Sequence, residues 1–128
     1  MRRKLKPADI PEELERAARL LDEDAPEEAL AAAEAAIAAG PEGDDRVEAQ
    51  YLRAEALFDL GETRRALEAY EAALAIEPDD PFVLAGKGEA LFELWDFAAA
   101  RRALERATSL DRENARAERY LALTLDRA

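Results

Sequence analysis

The chain contains no cysteine, no histidine, one serine (Ser109) and one tryptophan (Trp95) in 128 residues. Without Cys there can be no disulfide, no thiol nucleophile and no thiolate metal site. Without His the commonest general base and metal ligand is missing as well. Ser109 stands just before Leu110 near the end of a helical run, with no base to activate it. The five Gly residues form no phosphate-cradling pattern. The acid clusters Asp22-Glu23-Asp24, Asp44-Asp45 and Asp79-Asp80 lack the alternating ligands and central Gly of a calcium loop. They read instead as caps and dipole partners at helix N-termini. Neither catalysis nor a metal or cofactor is expected.

Long apolar runs are absent too: none nears the roughly 20 residues that a membrane span needs. The start "MRRKLK" is followed by "PADIPEELERAARLL" rather than by an apolar stretch, so no secretory leader is expected and the default placement is cytoplasmic. β-branched residues are rare while Ala is abundant, which favours helices over strands. With 49% hydrophobic and 38% charged residues the composition is that of a globular domain. The net charge of −12 is unevenly placed. Residues 1–6 carry four bases, residues 7–100 hold 25 acids against 7 bases, and residues 101–128 hold 7 bases against 5 acids. So acidic a middle argues against nucleic acid as a partner, because phosphate contacts dominate that affinity. Residues 1–9 read as a basic solvated tail.

Apolar residues recur at helical spacing almost throughout, so the informative positions are the breaks. These fall at "DEDAP" (22–26), "GPEGDD" (40–45), "LGET" (60–63), "EPDDP" (77–81), "LWD" (94–96) and "LDREN" (110–114). They cut the chain into seven segments of about 12–16 residues. Pro26 and Pro81 suit the first turn of a helix, where the missing N–H is no loss. Asp80, Asp96 and Asn114 are candidate N-caps, and Gly40 and Gly61 stand where a left-handed residue ends a helix. The reading is all-α, with short connections and antiparallel neighbours.

The segments also repeat. Ala66, Ala69, Ala73 and Ile76 map by +34 onto Ala100, Ala103, Ala107 and Leu110, and by −37 onto Ala29, Ala32, Ala36 and Ala39. Pro78 falls on Pro41, and the three extra residues are expected within the loop "GPEGDD". In the preceding helices Ala17, Ala54 and Gly88 coincide, as do Leu20, Leu57 and Leu91. A two-helix unit of this period resembles the tetratricopeptide repeat. The aromatic slot of the second helix holds Ala33, Tyr70 and Leu104; in the first helices the large apolar slots hold Glu13, Gln50 and Leu84, then Arg16, Arg53 and Lys87. The long polar stems would lie along the interface with their heads in solvent. The resemblance implies repeats over about 10–46, 47–80 and 81–114, a capping helix over 115–128, and a right-handed superhelix of seven helices in a single domain, 10–128.

It also implies a concave groove lined by the first helix of each pair and taking an extended or helical segment of another protein. The candidate groove residues are Tyr51, Glu55, Phe58 and Asp59 in the second repeat, Phe82, Glu89, Phe92 and Glu93 in the third, and Arg116 and Arg119 on the closing helix. Phe58 and Phe92 have a second reading, as packing between adjacent repeats. Gly86, inside a helix, either permits close packing or leaves room for a ligand backbone. The family's clamp for the acidic tails of chaperones needs Lys, Asn and Arg at positions held here by Leu14, Ala18, Leu52, Phe82 and Gly86, and none matches. An acidic, aromatic groove suits a partner protein or peptide with basic and apolar side chains. The alternative is an assembly module that self-associates or packs against other domains of a longer parent protein: Leu121 and Leu125 on the closing helix would accept another helix, so a homo-oligomer stays open.

Overall fold

The structure, a computed structural model, describes residues 4–127. Arg2 and Arg3 of the expected basic tail lie outside these residues. After one 3-10 turn at Pro7–Asp9 come α1 (Ile10–Asp22), α2 (Pro26–Ala38), α3 (Gly43–Asp59), α4 (Thr63–Ile76), α5 (Pro81–Glu93), α6 (Phe97–Leu110) and α7 (Ala115–Asp126). Among the described residues there is no strand, and no helix is long and apolar enough to cross a membrane.

Local chemistry sets the helix ends. The Asp80 carboxylate accepts the N–H groups of Phe82 and Val83 at 3.0 and 3.2 Å. Asp96 accepts that of Ala99 at 3.3 Å, and Asn114 that of Ala117 at 3.0 Å. These are the three N-caps expected, each satisfying a donor that the helix leaves orphaned. The first helix of every pair ends in the same turn. The carbonyls of Leu20, Leu57 and Leu91 accept the N–H groups of Ala25, Glu62 and Asp96 at 2.8, 2.9 and 3.0 Å. Each loop closes over a left-handed residue: Asp24, Gly61 and Trp95, at φ 58°, 80° and 66°. Gly tolerates that backbone and Asp does so in part, whereas Trp95 is strained there by about 1 kcal/mol.

The helices form two layers. α1, α3, α5 and α7 touch one another in succession and make the inner layer; α2, α4 and α6 pack outside, each against the two inner helices that flank it in sequence. One helix pair cannot bury its own apolar face, so the pairs stack into a continuous core. Its narrow places are held by Ala29, Ala32, Ala36, Ala66, Ala69, Ala73, Ala100 and Ala107, which have no exposed surface. Leu57, Tyr70 and Leu104 fill the gaps between. Gly88 belongs to the same scheme: a Cβ there would collide with the Leu104 side chain.

Two expectations are corrected. The three residues added to the first repeat do not lengthen the loop: residues 39–42, 77–80 and 111–114 are each four residues long. The added residues are helical: α3 is 17 residues against 13 for α1 and α5, while α2, at 13, is one residue shorter than α4 and α6, at 14. Gly43 (φ 57°) therefore opens a helix at a point that its residue type marks as a break. The polar residues in the large apolar slots also do more than extend into water. Arg16 pairs with Glu13 at 3.0 Å, and Arg53 reaches Glu34 on α2 at 3.5 Å. The Gln50 side-chain oxygen is buried and finds no hydrogen-bond partner among the described residues.

Candidate functional site

The inner face is built around a side chain from the outer layer. Tyr70 of α4, fully buried, passes between α3 and α5, and Gly86 makes the room for it. A Cβ at Gly86 would overlap Tyr70 Cε1 and lie 2.7 Å from Cζ. The Tyr70 hydroxyl donates to Glu55 Oε1 at 3.0 Å. Arg116 of α7 donates to the same oxygen at 2.6 Å through Nη1, to Glu89 Oε1 at 2.7 Å through Nε, and to the Tyr70 hydroxyl at 3.4 Å through Nη2. One guanidinium thus ties α3, α4, α5 and α7 together. Its charged members are only 14–26% exposed, so water screens them weakly. Burial alone would disfavour the charged form of Arg116, but the Glu55 and Glu89 carboxylates outweigh it.

All three tyrosines of the chain hold their protons more tightly than an ordinary phenol. For Tyr51 and Tyr70 burial is the first cause and the Glu55 charge the second; for Tyr120 burial is followed by Glu89. A group whose folded pKa lies above its unfolded value of about 10 contributes its full stability below that pH and loses it above. The absorbance of the Tyr51 and Tyr70 phenolates, two of the three, is therefore expected to rise only together with loss of the helical circular dichroism signal at alkaline pH, whereas the less buried Tyr120 ionises first. Ionisation of more than one tyrosine near pH 10 with the helices intact would contradict the burial of Tyr51 and Tyr70.

Two hollows meet at the rim of this floor and share the walls Tyr51 and Phe82. One, about 310 Å³, lies between the starts of α3 and α5 and carries Asp44, Glu48, Glu77 and Asp80. The other, about 380 Å³, lies between the starts of α5 and α7, with Asp111 and Glu113 at its edge and Arg116 in its wall. Phe82 is 62% exposed. The Glu48 carboxyl is pushed up by burial, then by Asp45 and Glu15. Among the described residues none of the six lining carboxylates has an ion pair with Lys or Arg.

Two sequence profiles described as Tetratricopeptide repeat match residues 14–81 and 57–124. Each spans more than half of the chain. The chain belongs to the tetratricopeptide repeat family. No curated protein sequence matches it significantly. Among solved structures, the first tetratricopeptide domain of Spaghetti (RPAP3) bound to the HSP90 peptide SRMEEVD superposes with a TM-score of 0.87 at 20% identity, covering 96% of this chain and 98% of that one. The first such domain of human RPAP3 gives 0.86 at 21% identity, over 94% and 92%. The Sgt2 domain of Aspergillus fumigatus gives 0.85 at 18% identity, over 99% and 83%. Likeness at this identity is likeness of fold: an all-α, right-handed solenoid of helix pairs.

In this tetratricopeptide repeat protein the ten candidate groove residues fall into separate groups. Glu55, Glu89 and Arg116 form the network on the floor, and Tyr51 and Phe82 stand at the hollows. Phe58 is half-buried against the core of the second repeat. Phe92 is half-buried against Phe97 and Tyr120, with ring centroids 5.5 and 5.6 Å away. Asp59 and Glu93 are exposed, although partial desolvation, then the charges of Glu55 and Asp24, raise the Asp59 carboxyl. Arg119 stays outside the network, its guanidinium 5.6 Å from the Tyr120 ring. The space beside Gly86 is taken by Tyr70 and is not open to a ligand. Reading stripes on the first helices alone does not find Tyr70, nor the carboxylates at the hollows. The latter lie at helix starts and in the linking loops, where capping explains an acid equally well.

Proposed function

We propose that this tetratricopeptide repeat protein is a non-enzymatic interaction module whose inner face takes a segment of a partner protein carrying basic and apolar side chains. The observation that carries this reading is the pair of hollows on either side of Phe82. An exposed aromatic ring beside apolar space is an anchor site, and the unpaired carboxylates around it attract cations. Family likeness supports the general role, since a similar domain holds the HSP90 peptide SRMEEVD. That peptide, with its two Glu and one Asp, suits the present rim poorly. The positions that would have to supply its cationic clamp include Leu14, Leu52 and Gly86, all buried here.

Glu55 and Glu89 already hold Arg116, so charge selection falls to Glu48, Glu77, Asp80, Asp111 and Glu113. Reversing Glu55 and Glu89 would perturb stability more than selection. The test is to select binders from a displayed random-peptide library. Lys or Arg next to an aromatic or aliphatic residue should be enriched. Phe82→Ala should weaken the selected peptides by about ten-fold or more, with unfolding unchanged because the ring is exposed. Glu48→Lys with Glu77→Lys should weaken them further and flatten the salt dependence, since salt screens exposed attraction. Unchanged affinity in both variants would mean that the hollows are only solvated surface. A second reading, self-assembly through α7, draws on the exposed Leu123 and Leu125, Leu121 being packed against the core of the third repeat; light scattering that finds a strict monomer removes self-assembly.

A further inference from the structure

Away from the groove, three aromatic rings converge at the junction of α5, α6 and α7. Trp95 lies 5.7 Å from Phe97, and Phe97 lies 5.5 Å from Phe92, centroid to centroid. Arg127, directly after α7, sends its guanidinium into the space they share. Its central carbon is 5.6 Å from the Phe92 centroid, 5.7 Å from Trp95 and 5.9 Å from Phe97. All three distances fall within the range over which a ring face attracts a cation. Among the described residues Arg127 makes no ion pair, although Asp126 is its neighbour and Glu93 and Asp96 flank the rings. Its partners are the rings.

Trp95 gives an independent reason to look here. It occupies the left-handed position that Asp24 and Gly61 fill in the other two pairs, so the turn itself does not call for an aromatic residue. Nor does the core, because Trp95 is 72% exposed. A strained backbone supporting a bulky exposed side chain fits a binding role better than a packing one.

We propose that Phe92, Trp95 and Phe97 form a cage for a guanidinium, which Arg127 fills in the free protein and an arginine of a partner segment fills in its place. The cage is sized for that group, because a guanidinium already sits in it. Glu93 and Asp96 give the incoming cation an anionic approach. The hollow next to Phe97 carries Arg101 and Arg102 instead, and so directs the segment away from that flank. Arg127 acts as an internal competitor: the cage is open to a partner only for the fraction of time that Arg127 is out, and the apparent affinity falls by that fraction.

Trp95 is the only tryptophan, so its fluorescence reports on the cage. The probe is a capped Gly-Arg-Gly peptide, with the citrulline version as a neutral isostere. In the Arg127→Ser variant the arginine peptide should change Trp95 emission saturably, with an affinity about ten-fold tighter than for the unaltered chain. The citrulline peptide should give no such change. Adding Phe97→Ala should abolish the response, and adding Phe82→Ala should leave it intact, which separates the cage from the groove. Equal binding by the citrulline peptide would overturn the proposal, as would equal affinity with and without Arg127, or no titration in either protein. A trimethyllysine peptide that displaced the arginine peptide at lower concentration would overturn the guanidinium assignment.

Discussion

Arg116→Met is expected to lower the unfolding free energy by about 2–3 kcal/mol. Removing one partner from a buried charge pair typically costs about 3–5 kcal/mol, because the other partner is left charged and poorly solvated. Here the side chains of the network keep 14–26% of their surface, so solvent screening brings the expected loss to the bottom of that range or just below it. Methionine retains much of the apolar stem, which confines the loss to the hydrogen bonds and the charge. Two carboxylates and the Tyr70 hydroxyl would then face one another without a cation. For a chain of this length the change corresponds to a fall in melting temperature of about 10 °C. Urea unfolding by circular dichroism measures it.

Controls sharpen this expectation. Arg101 makes an equally short pair with Glu105, 2.6 Å within one helix, but both partners are about half exposed. Arg101→Met should therefore change stability by about 0.5 kcal/mol or less. Replacing the network together, with Arg116→Met, Glu55→Gln and Glu89→Gln, should recover part of the loss, since no unpaired charge remains. If the single and triple variants lose the same amount, what matters is the packing of the Arg116 stem and not its charge.

This network marks the boundary of what the sequence makes legible. The helix ends could be read from local chemistry: Asp80, Asp96 and Asn114 are caps because a short polar side chain can reach an N–H two or three residues on. The alanine rows could be read because repetition at 34 residues forces stacking. Arg116 and Glu55 are 61 residues apart and belong to different repeats, and only the rotation of successive pairs brings them within 2.6 Å. No local pattern encodes that rotation. Gly43 is legible only in part: its residue type signals a break, and the break is there as a left-handed residue at φ 57°, but it stands at the first position of α3 and not in the middle of a loop. The stripes on the first helices gave Tyr51, Glu55, Phe82 and Glu89 a common face, but not which of them water would reach. That depends on Tyr70, whose ring comes from the other layer.

Gly86→Ala is the second large effect expected, and its sign runs against helix propensity. In an exposed helix interior the change would stabilise by about 1 kcal/mol. Here the new methyl group would enter the space of the Tyr70 ring, at 2.7 Å from Cζ and closer still to Cε1. The ring has no easy retreat: it is fully buried, Tyr51 lies at a centroid distance of 6.2 Å, and the hydroxyl is held by Glu55. Overpacking of this kind typically costs about 1–3 kcal/mol, and displacing the hydroxyl would also weaken its bonds to Glu55 and Arg116. A net loss of about 2 kcal/mol follows once the propensity gain is subtracted. The mechanism has its own test, because only a neighbour that vacates the space can relieve the clash. Tyr70→Phe keeps both offending carbons and should not rescue Gly86→Ala, whereas Tyr70→Leu removes the ring and should do so in part. The double variant with Leu should therefore be more stable than the sum of the single losses by about 1 kcal/mol or more. Additive losses would show that the ring has room to move, and that Gly86 is not what allows Tyr70 between α3 and α5.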